Sequence, residues 1–140
     1  MLYIRQNNYE EIILHAMERL PEESCGLIAG IIEGEDKRVE KIYKMQNVNH
    51  SEEQFAMEPK EQIRAAKDAR ERGLTIIGNY HSHPKAPAFP SKKDIELAYD
   101  LLTDYWIVSL MDLEQPVLRA FRFDEKKEIK EIPVCVYQQS

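Results

Sequence analysis

Cysteine is scarce in this chain: Cys25 and Cys135 are the only two in 140 residues. Two cysteines make no disulfide framework, and without a CxxC pair there is no zinc ribbon or finger. Both lie in apolar, strand-like stretches and read as buried, reduced thiols. Long apolar runs are also missing. None approaches the length of a membrane span, and the opening "MLYIRQNNYEE" turns polar too early for a secretory signal. The expected location is therefore the cytoplasm, with no membrane partner. An excess of basic charge is absent as well. The net charge is −6, and the Lys and Arg residues are interleaved with acids, as in "DARERG" and "DEKKEIKE". These stretches read as solvated faces, and the balance argues against a nucleic-acid partner.

What is present fits one globular unit. The hydrophobic fraction of 43% and the charged fraction of 31% exclude a disordered chain, and the length is that of a single domain spanning residues 1–140. After the apolar "LYI", residues 8–20 carry Ile12, Ile13, Ala16, Met17 and Leu20 at helical spacing, with Pro21 beyond the end. "CGLIAGIIE" (25–33) and "RVEKIYKMQNV" (38–48) read as strands joined by a turn at "EGED". Pro59 opens a second helix, expected to turn Ile63, Ala66 and Ala69 inward and to close at Gly73. "LTIIGNYHSH" (74–83) is apolar on both faces at Ile76 and Ile77, the mark of an interior strand. Ser91 begins a third helix, expected to run to about Thr103, and three strand-like stretches finish the chain. This order predicts one mixed α/β domain.

Because histidine is rare, with four in the chain, its placement is informative. In "HSHPKAPAFPSKKD" (81–94), alternation along a strand puts His81 and His83 on one face and Ser82 on the other. Two imidazoles so placed can share a zinc ion, and a proline-stiffened loop returns the chain to Asp94, the natural third ligand, with water in fourth place. Ser91 and Asp94 also fit a plain helix capping box. The joint pattern decides in favour of a metal site. With this composition it has a chance expectation of about 2 × 10⁻⁴. His15, on the polar side of the first helix, and His50, in a polar loop, read as solvated.

The stretch resembles the motif H-[ST]-H-P-x6-S-x-x-D of the JAMM (MPN+) metalloproteases at every defined position, and "PEESCG" (21–26) is similar to that family's P-x-E-x-C-G segment. "FAMEP" (55–59) is similar to the stretch before the family's second helix, and the resemblance spans about residues 1–125. It implies a cytidine-deaminase-like α/β fold, a mixed sheet flanked by helices, and zinc-dependent hydrolysis of peptide or isopeptide bonds. A deaminase itself needs HxE and PCxxC, and neither occurs. By the same resemblance His81, His83 and Asp94 match the zinc ligands, and Glu23, rather than Glu22, matches the catalytic glutamate. Ser91 matches the residue that donates to the developing oxyanion, and Ser82 braces the site. At this length the chain looks like the minimal prokaryotic form, associated with small ubiquitin-like sulfur carriers that end in Gly-Gly. Two other readings remain open: a noncatalytic MPN scaffold that only binds partners, and a zinc peptidase acting on other short peptides.

Overall fold

A computed structural model describes residues 1–138. In chain order the elements are β1 (Leu2–Arg5), α1 (Gln6–Glu18), β2 (Cys25–Glu33), β3 (Asp36–Met45), α2 (Pro59–Glu71), β4 (Thr75–His83), α3 (Lys92–Glu96), β5 (Asp104–Ser109), β6 (Val117–Phe123), β7 (Ile129–Ile132) and β8 (Val134–Tyr137). The eight strands form one mixed sheet in the order β7-β6-β5-β4-β2-β3-β1-β8. Strand β4 sits between β2, antiparallel, and β5, parallel. Its backbone is thus hydrogen-bonded on both sides, which holds the histidines at its end on a rigid platform. Among the described residues no helix is long and apolar enough to cross a membrane.

The main core lies between α1 and the sheet. Ile12 and Ala16 of α1 pack in one cluster with Leu2, Ile28, Val39, Ile77, Tyr80 and Trp106. A smaller cluster forms beneath α2, where Cys25, Met45 and Ala65 are joined by Leu27, Phe55 and Met57. The β2–β4 contact is unusually close at Gly26, opposite Tyr80. A side chain there would run into the Tyr80 ring and the carbonyl oxygen of Tyr43. Gly26→Ala should therefore cost about 1–3 kcal/mol, the usual penalty of overpacking, read as a shift in the urea midpoint. An unchanged midpoint would show that the two strands can separate freely.

Several expectations need correction. Helix α2 is rotated from the face its sequence suggests: Ala65 and Ala69 are buried, whereas Ile63 is 69% exposed and Ala66 faces solvent. The Tyr43 hydroxyl donates to Asp68 at 2.5 Å, and Arg72 donates to the same carboxylate at 2.7 Å, so polar contacts fix the rotation. Helix α3 spans only five residues. Lys127 Nζ donates to the carbonyls of Ile95 and Glu96 and so caps its end. Beyond it, the Tyr105 hydroxyl takes up both the N–H and the carbonyl of Asp100. Cys135 lies in the edge strand β8 and is half-buried, unlike the fully buried Cys25.

His15 is the other departure. It is 5% exposed, and its Nδ1 lies 2.7 Å from the Tyr80 hydroxyl. Burial first, then the charge of Lys44, lowers its pKa from 6.5 to about 4; Glu18 opposes the shift and Arg19 adds to it. Between these values the unfolded chain takes up a proton that the folded chain resists. The associated stability is complete above pH 6.5 and is lost as pH falls toward 4, amounting to about 3 kcal/mol. His15→Gln should flatten the acid limb of the stability profile by roughly that amount. Parallel profiles for wild type and variant would contradict it.

Candidate active site

The end of β4 carries His81 and His83, and the loop of residues 84–90 returns the chain to Ser91 and Asp94 at the start of α3. His81 Nε2 and His83 Nε2 are 3.2 Å apart, and each lies 3.0 Å from the same atom, Asp94 Oδ2. The three ligand atoms all fall within 4.8 Å of one another. His81 is 1% exposed and His83 5%. Ser82 points away from them. Its Oγ accepts the Ser24 N–H at 2.7 Å, while its own N–H donates to the Ser24 carbonyl, locking β4 to the segment that leads into β2.

Two of the three groups stand in the protonation state that a cation needs. Burial lowers the pKa of His81 and keeps its ring neutral. Burial also pushes Asp94 upward, but hydrogen bonds with His81 and His83 outweigh it and hold the carboxylate well below the usual range. For His83 burial lowers the pKa, but hydrogen bonds with Asp94 and the Pro87 carbonyl outweigh it, so the net shift is upward and a cation would have to displace the proton from Nε2. His83 Nδ1 lies 2.9 Å from the Pro87 carbonyl oxygen, which can only accept. The remaining ring proton therefore belongs on Nδ1, and Nε2 offers its lone pair to the cluster. With both rings neutral and Nε2 unprotonated, three lone pairs would converge at separations near 3 Å, a repulsive arrangement that a cation among them relieves. Bonds of about 2.1 Å in a tetrahedral site place ligand atoms about 3.4 Å apart. The observed separations of 3.0 to 3.2 Å are close to that edge length. The donor set fits zinc.

Asp94 has a second task. Ser91 N–H donates to its Oδ2 at 2.9 Å, and Asp94 N–H donates to Ser91 Oγ at 3.0 Å, a complete capping box. One atom, Asp94 Oδ2, thus serves both the helix cap and the candidate ligand set. Capping occupies a lone pair of Ser91 Oγ and leaves its O–H free to donate elsewhere.

Glu23 and Glu22 occupy different environments. Glu23 is 3% exposed, and its Oε1 is buried with no hydrogen-bond partner among the described residues. Burial first raises its pKa to about 8; the charge of Asp94 adds to the rise and that of His83 opposes it. A carboxyl group of this kind can hold a proton at neutral pH. Glu22 instead sits toward solvent, 3.4 Å from Arg19 and 3.3 Å from His50. The exposed side chain of His50 agrees with its reading as a loop residue.

Two neighbours of the site carried no sequence signal of their role. Asn47, 1% exposed, donates to the carbonyls of Glu23 and Gln54, and its Oδ1 accepts the N–H of Ala56. Phe55 stacks on His81, with ring centroids 4.5 Å apart and planes 22° from parallel. The only hint was the placement of Phe55 in "FAMEP".

Comparison with known proteins agrees with this geometry. The family of prokaryotic homologs of the JAB domain matches residues 5–124. The CysO-cysteine peptidase of Mycobacterium tuberculosis is 34% identical over 142 residues, covering 99% of this chain and 93% of the relative. A probable TtuB-protein conjugate cleaving protease of Thermus thermophilus is 32% identical, covering 92% and 80%. A solution structure of a protein from Desulfitobacterium hafniense superposes with a TM-score of 0.92 at 37% identity, covering 99% of this chain and 94% of that one.

Proposed function

The chain belongs to the family of prokaryotic homologs of the JAB domain and is a JAMM-type metallopeptidase, and from that premise we propose that it cleaves the bond following the C-terminal Gly-Gly tail of a small ubiquitin-like carrier protein. The convergence of His81, His83 and Asp94, with the buried carboxyl of Glu23 in electrostatic reach, carries this reading. The relatives named for CysO-cysteine and for TtuB-protein conjugates support the substrate class. The two cysteines are unpaired, which supports a reducing cytoplasmic setting.

In this reading His81, His83 and Asp94 would hold zinc, which when bound would supply a water acidic enough to ionise near neutral pH and a Lewis acid for the scissile carbonyl. Glu23 Oε1 takes the proton of the attacking water and returns it to the leaving nitrogen. The Ser91 O–H donates to the carbonyl oxygen as negative charge builds there. The Pro87 carbonyl fixes the tautomer of His83, and the Ser24–Ser82 pair holds β4 in register.

The test uses a carrier ending in Gly-Gly joined through an amide to cysteine or to a lysine side chain. The zinc-loaded protein should release the carrier, stop on chelation and resume when zinc is restored. Equal cleavage of unrelated short peptides would instead indicate a general peptidase. No cleavage of any of these substrates would overturn the proposal.

A further inference from the structure

We propose that Phe55 enforces the demand for glycine at the scissile bond, because its ring closes over His81 and leaves a channel for backbone without a side chain. This inference rests on the carrier-tail reading above. The cavity that touches the ligands, bounded by Phe55, His81, Lys93, Asp94, Leu97 and Tyr105, holds about 50 Å³. The adjoining cavity shares Phe55, Leu97 and Tyr105 and opens to about 320 Å³, with Leu27, Met57 and Ile76 in its wall. A chain passing from the wide part toward the ligands therefore meets its constriction at the shared wall of Phe55, Leu97 and Tyr105, of which Phe55 is the one that covers His81.

The constriction is held in place. Asn47 is tied to the Gln54 carbonyl at 3.1 Å and to the Ala56 N–H at 3.2 Å, the backbone groups on either side of Phe55. Phe55 itself packs on the cluster of Cys25, Met45 and Ala65 and lies flat on His81. Backbone pinning, apolar packing and ring stacking all oppose its withdrawal. A β-carbon on the substrate's terminal residue would press on the ring and have to push it off His81, whereas glycine, with no β-carbon, passes alongside it.

The experiment compares kcat/KM for carriers ending in Gly-Gly and in Gly-Ala, joined to the same leaving group. Wild type should favour Gly-Gly by about 10–200-fold, the discrimination that one carbon commands in a tight pocket. Phe55→Ala should shrink that ratio at least tenfold by raising cleavage of Gly-Ala, with zinc content unchanged. Phe55→Leu, which keeps apolar packing, should fall between them and decides the matter if the alanine variant loses metal. Wild-type discrimination retained in both variants, or a wild type indifferent to the added methyl, overturns the inference while leaving carrier cleavage intact. A wild type that cleaves neither tail removes the carrier-tail reading and this inference with it.

Discussion

Glu23→Gln lowers kcat by about 10²–10⁴, the usual worth of general acid–base assistance, while fold and zinc content stay those of the wild type. The amide keeps the size and polarity of the carboxyl group but cannot accept a proton from water. Its neighbour supplies the control. Glu22 faces Arg19 and His50 at the surface, so Glu22→Gln should leave turnover nearly unchanged. The measurements are single-turnover cleavage of the Gly-Gly carrier and elemental analysis on the same samples. An inactive Glu22→Gln beside an active Glu23→Gln would shift the assignment by one residue. Two active variants would remove the proton-transfer role altogether.

Asp94→Ala should abolish both stoichiometric zinc binding and activity, because it removes one of the three proposed ligands. It also breaks the capping box at the start of α3, so lost metal could be mistaken for a frayed helix. Ser91→Ala separates the two effects. It removes the side-chain cap at a cost of about 0.5–2 kcal/mol but leaves all three ligands, and it should still bind one zinc per chain. Its turnover should fall as well, since the proposed donor to the carbonyl oxygen is gone. Elemental analysis after equilibration with zinc, alongside thermal unfolding, reads both quantities. An Asp94→Ala protein that keeps one zinc per chain would exclude the ligand set.

The location of the site was legible where chemistry follows from spacing. Alternation along β4 placed His81 and His83 on one face, and three prolines in seven residues ruled out helix or central strand before Ser91. The capping reading and the ligand reading of Ser91 and Asp94 competed in the sequence. In the structure the two are compatible, because Asp94 Oδ2 accepts the Ser91 N–H and faces both imidazoles. Periodicity misled where contacts from distant residues intervened. The third helix was expected to reach Thr103, but Lys127 and Tyr105 take the backbone groups its continuation would have used.

By itself the sequence determined the order of the helices and of strands β2 to β6, the face shared by His81 and His83, and the local cap that presents Asp94. Each depends on backbone periodicity or on partners a few residues apart, which a linear pattern encodes. The short opening strand β1 and the division of the last stretch at Pro133 into β7 and β8 emerged only in the structure. Tertiary structure alone decided the rotation of α2, the burial of His15 against Tyr80 and the seating of Phe55 on His81. It also decided the difference between Glu22 and Glu23, adjacent and chemically identical residues. One reaches solvent, while the other is enclosed by the fold, where lost hydration raises its pKa to about 8. Burial is set by which distant segments pack over a side chain, and spacing along the chain does not specify that.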